Sequence, residues 1–175
     1  MNPREFEKEY NRLLLPLGMY ALRMVMNVSD AEDIVQNVFV NVWNHIQQGY
    51  EPDNLKSYLY RAVRNAALKY VAKESKESLT MTDIDEAAEV TEEAVDTSER
   101  DARLWQAVNE LPPKCREVFL MCKRDNYSYK EIADTLGISI KTVENHLTKA
   151  MKSLRKAYGI KDQSITIPIF FLPLV

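Results

Sequence analysis

Apolar residues recur along this chain mostly at steps of three and four, the period of amphipathic helices. Phe6, Tyr10, Leu13 and Leu14 open the pattern, and a second run covers residues 17–26. Ser29 or Asp30 is then placed to cap a helix over 31–46, whose buried stripe is Ile34, Val38, Val42 and Ile46, widened by Val35 and Phe39. Gly49 and Pro52 mark a loop over 47–54. The next helix, from 55 to about 72, is basic and aromatic at once: Lys56, Arg61, Arg64, Lys69 and Lys73 interleave with Tyr58, Tyr60 and Tyr70. Between roughly 74 and 99 the apolar residues are isolated and no period is sustained, which suits a linker rather than a core. Helical spacing returns over 102–111, stops at Pro112-Pro113, and resumes over 114–122.

The stretch from Ser128 to Arg155 reads as two helices joined by a tight turn. Ser128 caps the first, with Ile132, Ala133 and Leu136 facing inward. Gly137 supplies backbone freedom for the turn, and Ser139 caps the second helix. Val143 and Leu147 pack back onto the first helix. Lys141, Thr142, Glu144, Asn145, Thr148, Lys149 and Lys152 are left outside, mixing phosphate-binding cations with side chains that read base edges. An ordinary helical hairpin with a solvated face is the bland alternative. Agreement of caps, glycine turn and apolar spacing favours a DNA-binding helix-turn-helix.

Composition supports an all-α fold, since only 4 of 175 residues are glycine. Charge sharpens the organisation. The formal net charge is -3, but residues 1–73 hold 9 Lys+Arg against 8 Asp+Glu, residues 74–101 hold 2 against 11, and residues 102–175 hold 12 against 7. One acidic segment thus masks a near-neutral and a basic module, so overall acidity does not argue against nucleic acid. The expected organisation is two small helical domains, 1–73 and 102–160, joined by an acidic linker over 74–101 and followed by a tail over 161–175. That tail, from Ile165 onward, is apolar and uncharged. It is short of the ~20 residues a membrane span needs, so direct membrane insertion is not expected, and it suits docking on the protein's own modules or on a partner.

Little else suggests chemistry. Cys115 and Cys122 are too few for a disulfide framework and read as buried free thiols in a reducing compartment. His45 and His146 have no ligand-spaced partners, so no metal is expected. No nucleophile–base arrangement or glycine-rich phosphate loop is present, and neither an enzyme nor a cofactor is expected. The charged first ten residues do not read as a signal peptide. Trp43 reads as core rather than as a base wedge.

These motifs resemble the sigma-70 family, in particular its short two-domain extracytoplasmic-function group. The resemblance covers almost all of residues 6–156. Asp30-Ala-Glu-Asp-Ile-Val-Gln-Asn-Val-Phe-Val-Asn-Val-Trp43 is similar to the helix that binds core polymerase. Asp33, Gln36 and Asn37 lie on its polar side, opposite the apolar stripe, and the resemblance adds Phe39 to the polymerase-binding set. In the family the partner is the clamp coiled coil of the polymerase large subunit, and an acidic residue usually stands where this chain has Asn37. Leu55-Lys-Ser-Tyr-Leu-Tyr-Arg-Ala-Val-Arg-Asn-Ala-Ala-Leu-Lys-Tyr70 resembles the promoter-melting helix, which implies minus-ten DNA contacts from Lys56, Tyr58, Arg61, Arg64 and Asn65. Cations that hold backbone beside rings that stack bases are how single strands are gripped. Periodicity alone leaves open which of Tyr58 and Tyr60 is core. The family also forms a flipped-base pocket in the loop ahead of this helix, here 47–54. Leu111-Pro-Pro-Lys-Cys-Arg-Glu-Val-Phe-Leu120 and the helix-turn-helix resemble the second sigma domain, which reads the minus-thirty-five element as duplex through Lys141, Thr142, Glu144, Asn145, Thr148, Lys149 and Lys152. Many relatives carry Arg or Lys where this chain has Glu144.

The resemblance therefore implies a cytoplasmic promoter-specificity subunit of bacterial RNA polymerase, with core polymerase, promoter DNA and an anti-sigma factor as partners. Its acidic linker would imitate the charge of RNA in a basic channel. Lys141-Thr-Val-Glu-Asn-His-Leu147 is also similar to LuxR-type helix-turn-helix factors, which would place a receiver or ligand-binding domain ahead of it. An anti-sigma or adaptor protein, using the basic faces as partner surfaces, is the alternative from another class.

Overall fold

The computed structural model describes residues 1–75 and 90–158. Within them lie seven helices and no strand: α1 (Pro3–Val25), α2 (Val28–Gln47), α3 (Leu55–Ser75), α4 (Glu92–Asn109), α5 (Pro113–Lys123), α6 (Tyr129–Leu136) and α7 (Ile140–Tyr158). They fall into two units that divide between Glu99 and Arg100. The expected apolar tail and residues 76–89 of the expected linker lie outside the described residues.

In the first unit α1, α2 and α3 pack on one another in all three pairings. α1 opens with a reciprocal cap: Asn2 Oδ1 accepts from Glu5 N at 3.0 Å, and Glu5 Oε2 accepts from Asn2 N at 2.9 Å. The sequence suggests two runs here, yet α1 is continuous through Pro16. Proline removes one N–H from the ladder. Burial of Leu13 and Leu17 on either side, with Met19, Tyr20, Ala21 and Leu22 beyond, offsets that loss. A fully buried side chain of this size contributes roughly 1.5–3 kcal/mol.

α2 starts earlier than residue 31. Asn27, not Ser29 or Asp30, is its N-cap, accepting from Asp30 N at 3.2 Å. Asp30 instead sits in the first turn, where the helix dipole favours a carboxylate. The stripe of Ile34, Val35, Val38, Phe39, Val42 and Ile46 is buried as expected. Phe39 is clasped by Tyr10 and Phe6, with ring centroids 4.7 and 6.1 Å away, and half-buried Trp43 lies 4.8 Å from Phe6.

α4 also begins earlier, at Glu92 rather than at residue 102, so residues 92–101 of the expected linker are helical. Thr91 Oγ1 accepts from Ala94 N at 3.2 Å, and Glu92 and Glu93 occupy the dipole-favoured first turn. Ser98 on this stretch is fully buried within the first unit, on Tyr60 of α3. In the second unit α7 packs on α5 and α6, and α5 on α6. Val118, Phe119, Ile132, Val143, Ala150 and Leu154 are its fully buried centre.

Candidate nucleic-acid interface

The helix-turn-helix is built from local signals. Ser128 Oγ accepts from Glu131 N at 3.3 Å, and Glu131 Oε2 accepts from the Ser128 hydroxyl at 2.6 Å and from Ser128 N at 2.8 Å; the hydroxyl first and the amide second hold the Glu131 carboxyl below its ordinary value. Gly137 ends α6 in the left-handed region at φ 63, a conformation that disfavours any side chain with a Cβ. Ser139 Oγ then accepts from Thr142 N at 3.1 Å and opens α7. Leu136, expected inside, is half-buried.

With Val143, Leu147, Ala150 and Leu154 turned inward, all seven expected readers lie outside the core. Lys141, Asn145, Thr148, Lys149 and Lys152 are exposed, and Thr142 and Glu144 are half-exposed. Local bonds already engage several of them. Lys141 Nζ donates to Glu144 Oε2 at 3.0 Å, Thr148 Oγ1 donates to the Glu144 carbonyl at 2.8 Å, and the Thr142 and Ser139 hydroxyls lie 2.8 Å apart. The exposed Lys141–Glu144 pair is worth only ~0.2–1 kcal/mol, so DNA can separate it cheaply. A hollow of ≈ 420 Å³ runs along this face, floored by Leu147 and Met151, and its polar lining brings in Tyr129 and Arg155 beyond the expected set. Arg155 was legible at helical spacing from Thr148 and Met151. Tyr129 belongs to the other helix and was not.

α3 carries the second surface. Asn54 caps it, accepting from Ser57 N at 3.0 Å. Tyr60 is the inward tyrosine, 1% exposed, with its ring 5.2 Å from that of Tyr20. Burial pushes its phenol up to about 12, against the lowering effect of its hydrogen bond with Ser98. Tyr58 is half-exposed, 5.5 Å from the ring of Tyr50 in the preceding loop. Tyr50 is 47% exposed, and its nearness to Tyr58 is a pairing that spacing alone did not suggest. Arg61 is exposed, and Arg64 and Asn65 are half-exposed. Burial raises the Tyr20 phenol, and the positive charge of Arg64 opposes that rise. Lys56 is not a free cation: its Nζ lies 2.6 Å from Glu99 Oε1. Tyr70 is also engaged, donating to the Asp30 carboxylate, which pushes its phenol up to about 12.

On α2, Asp33, Gln36 and Asn37 are exposed on one face. Phe39 departs from the polymerase-binding set: it is 2% exposed and held in the aromatic cluster of the core, so it has no surface to offer a partner. Val40, seven residues after Asp33, takes the outward place at 58% exposed. Sequence reading also missed the Cys115 Sγ to His146 Nδ1 contact at 3.4 Å, because 31 residues separate the partners. Among the described residues there is no cluster of three or more potential metal ligands, and no helix is long and apolar enough to cross a membrane.

Comparison with known proteins places two families on this framework in order. Sigma-70 region 2 matches residues 10–77, and Sigma-70 region 4 matches residues 101–154. The chain is 30% identical to the ECF RNA polymerase sigma factor SigE of Mycolicibacterium smegmatis over 83% of its own length and 58% of that relative's. It is 27% identical to SigV of Bacillus subtilis, covering 82% of this chain and 85% of the relative, and 27% identical to SigM of the same organism, covering 88% and 96%. The chain thus spans a little over half of the first relative and most of the other two. The residues ahead of the helix-turn-helix match a sigma region rather than the receiver or ligand-binding domain of a LuxR-type factor.

Proposed function

The chain belongs to the sigma-70 family of RNA polymerase sigma factors, in its extracytoplasmic-function group, and on that premise we propose that it is the promoter-specificity subunit of a bacterial RNA polymerase. The observation that carries this reading is the order of two separate helical units, each with a polar or basic face outside its core. Asp33, Gln36 and Asn37 dock α2 on a basic helix of the core enzyme, with Val40 as an apolar contact beside them. Lys56, Arg61 and Arg64 hold the backbone of the minus-ten strand, Asn65 supplies an amide, and Tyr58 offers a ring for stacking beside Tyr50. A preformed pocket is how binding energy can drive strand opening, since turning out a base costs a few kcal/mol. Residues Lys141 to Lys152 of α7 read the minus-thirty-five duplex, cations on phosphate and Glu144 and Asn145 on base edges.

The protein itself carries no catalytic step and no cofactor in this role; the polymerase does the chemistry. It works in the cytoplasm, and an anti-sigma factor is its regulatory partner. The test is transcription from a fragmented genomic library with purified core polymerase. Start sites sharing two short motifs at fixed spacing are expected. Tight, site-specific duplex binding without core polymerase, and no dependent transcripts with it, would reject the proposal.

A further inference from the structure

Residues 92–99, expected as linker, instead form the start of a helix fixed to the face of α3 assigned above to the promoter strand. The attachment has two points. Tyr60 OH and Ser98 Oγ lie 2.8 Å apart in a buried pair, and Lys56 Nζ meets Glu99 Oε1 at 2.6 Å. Lys56 and Tyr60 are four residues apart and share one side of α3. Ser98 and Glu99 are neighbours on α4, and Asp96 lies close enough to act on the Tyr60 phenol together with Glu99. Negative charge is therefore gathered over a cation that single-stranded DNA would need.

We propose that residues 92–99 are an intramolecular latch, which occupies Lys56 until the separated promoter strand displaces it. The idea rests on the reading of α3 as the strand-binding helix. A phosphate oxygen and the Glu99 carboxylate are equivalent ligands for the Lys56 ammonium, so the two compete directly. The pair is open to that competition, with the Lys56 and Glu99 side chains 33% and 28% exposed. The attachment is also light. A partly exposed ion pair contributes about 2- to 5-fold to the closed population, and one hydroxyl pair about 2- to 10-fold. The apparent affinity of a closed protein falls in proportion to its open fraction, so weakening the latch raises strand affinity with no new DNA contact.

The experiment uses the full chain and a fluorescein-labelled, mixed-sequence single-stranded 12-mer DNA, followed by anisotropy with and without core polymerase. Ser98→Ala removes one attachment and changes no charge; Glu99→Gln removes the other. Relative to the wild type, Ser98→Ala is expected to bind the free oligonucleotide ~2- to 10-fold more tightly and Glu99→Gln ~2- to 5-fold more tightly. Glu93→Gln, which removes the same charge at an exposed site on α4, should gain less than ~2-fold, as an exposed charge in water does. Hydrogen exchange should show the amides of residues 92–99 losing protection when the wild type is saturated with the oligonucleotide. If Ser98→Ala proves poorly folded by thermal melting, Glu99→Gln and the exchange measurement decide. Equal affinities in a wild type that binds DNA, or unchanged protection of 92–99 on saturation, would overturn the latch alone and make the contact a plain part of the fold. Absence of strand binding by every form, even with core polymerase, would remove the reading of α3 and the latch with it.

Discussion

Phe39 and Val40 are neighbours on α2 with opposite expected phenotypes, and the contrast tests how that helix is used. Phe39 is 2% exposed, with the rings of Tyr10 and Phe6 around it. Phe39→Ala should cost ~3–5 kcal/mol, the usual range for deleting a buried aromatic ring, of which each lost ring pair accounts for about 0.5–1.5 kcal/mol. A domain of this size has a total stability of ~5–15 kcal/mol, so the variant should be folded in buffer but far less resistant to urea. Val40 is 58% exposed, so Val40→Arg should leave stability within about 0.5 kcal/mol of wild type. That change sets a cation against the basic partner helix and removes the apolar contact, and should weaken core polymerase binding by at least ~10-fold, about 1.4 kcal/mol. The two tryptophans, Trp43 and Trp105, fall one in each unit. A Trp105→Phe background therefore makes Trp43 fluorescence a reporter of the first unit alone during urea titration. Polymerase binding is read by pull-down with labelled protein. A Phe39→Ala variant with an unchanged urea midpoint and lost polymerase binding would refute this division of the helix.

Asp33→Arg should abolish association with core polymerase in pull-down while circular dichroism stays unchanged, because Asp33 lies outside the core. Glu144→Ala should relax base preference at one position of the minus-thirty-five element by ~1–3 kcal/mol in a randomised-site selection. Lys149→Ala should weaken all duplex sequences alike and lower the slope of log affinity against log salt by about 1. The hydrogen bonds of Ser128 hold the Glu131 carboxyl below 4.5, so its contribution to stability is complete above that value and is lost as pH falls through the lower, folded-state value. Thermal melts of Ser128→Ala should therefore lie below wild type at pH 7 and converge towards it in acid.

The helix-turn-helix was legible because its determinants are local. Ser128 and Glu131 are three residues apart, and Gly137 bears the positive φ that ends α6. The α2 stripe was equally plain, though not its start, since Asn27 caps as well as Ser or Asp. Phe39 illustrates the limit of motif resemblance: spacing put it in the stripe, the resemblance put it on the surface, and packing against Tyr10 decides for the stripe. The choice between Tyr58 and Tyr60 was not available from period, because each is adjacent to Leu59. It is resolved by Tyr20 and Ser98, which lie 40 and 38 residues from Tyr60. The same remoteness hid the beginning of α4. Its sequence lacks an apolar period, and the partner that buries Ser98 belongs to another helix.

The arrangement of α7 has a further consequence for how such a protein diversifies. Val143, Leu147, Ala150 and Leu154 hold the helix in place, while Lys141, Asn145, Thr148, Lys149 and Lys152 are exposed and touch none of the core's volume. Substitutions at exposed positions away from caps usually change stability by no more than about 0.5 kcal/mol. A duplicated copy of this gene can therefore drift through new combinations at 141, 145, 148, 149 and 152 without passing through an unfolded ancestor. Its set of target promoters is free to change on a landscape where selection acts on DNA preference and almost not at all on folding.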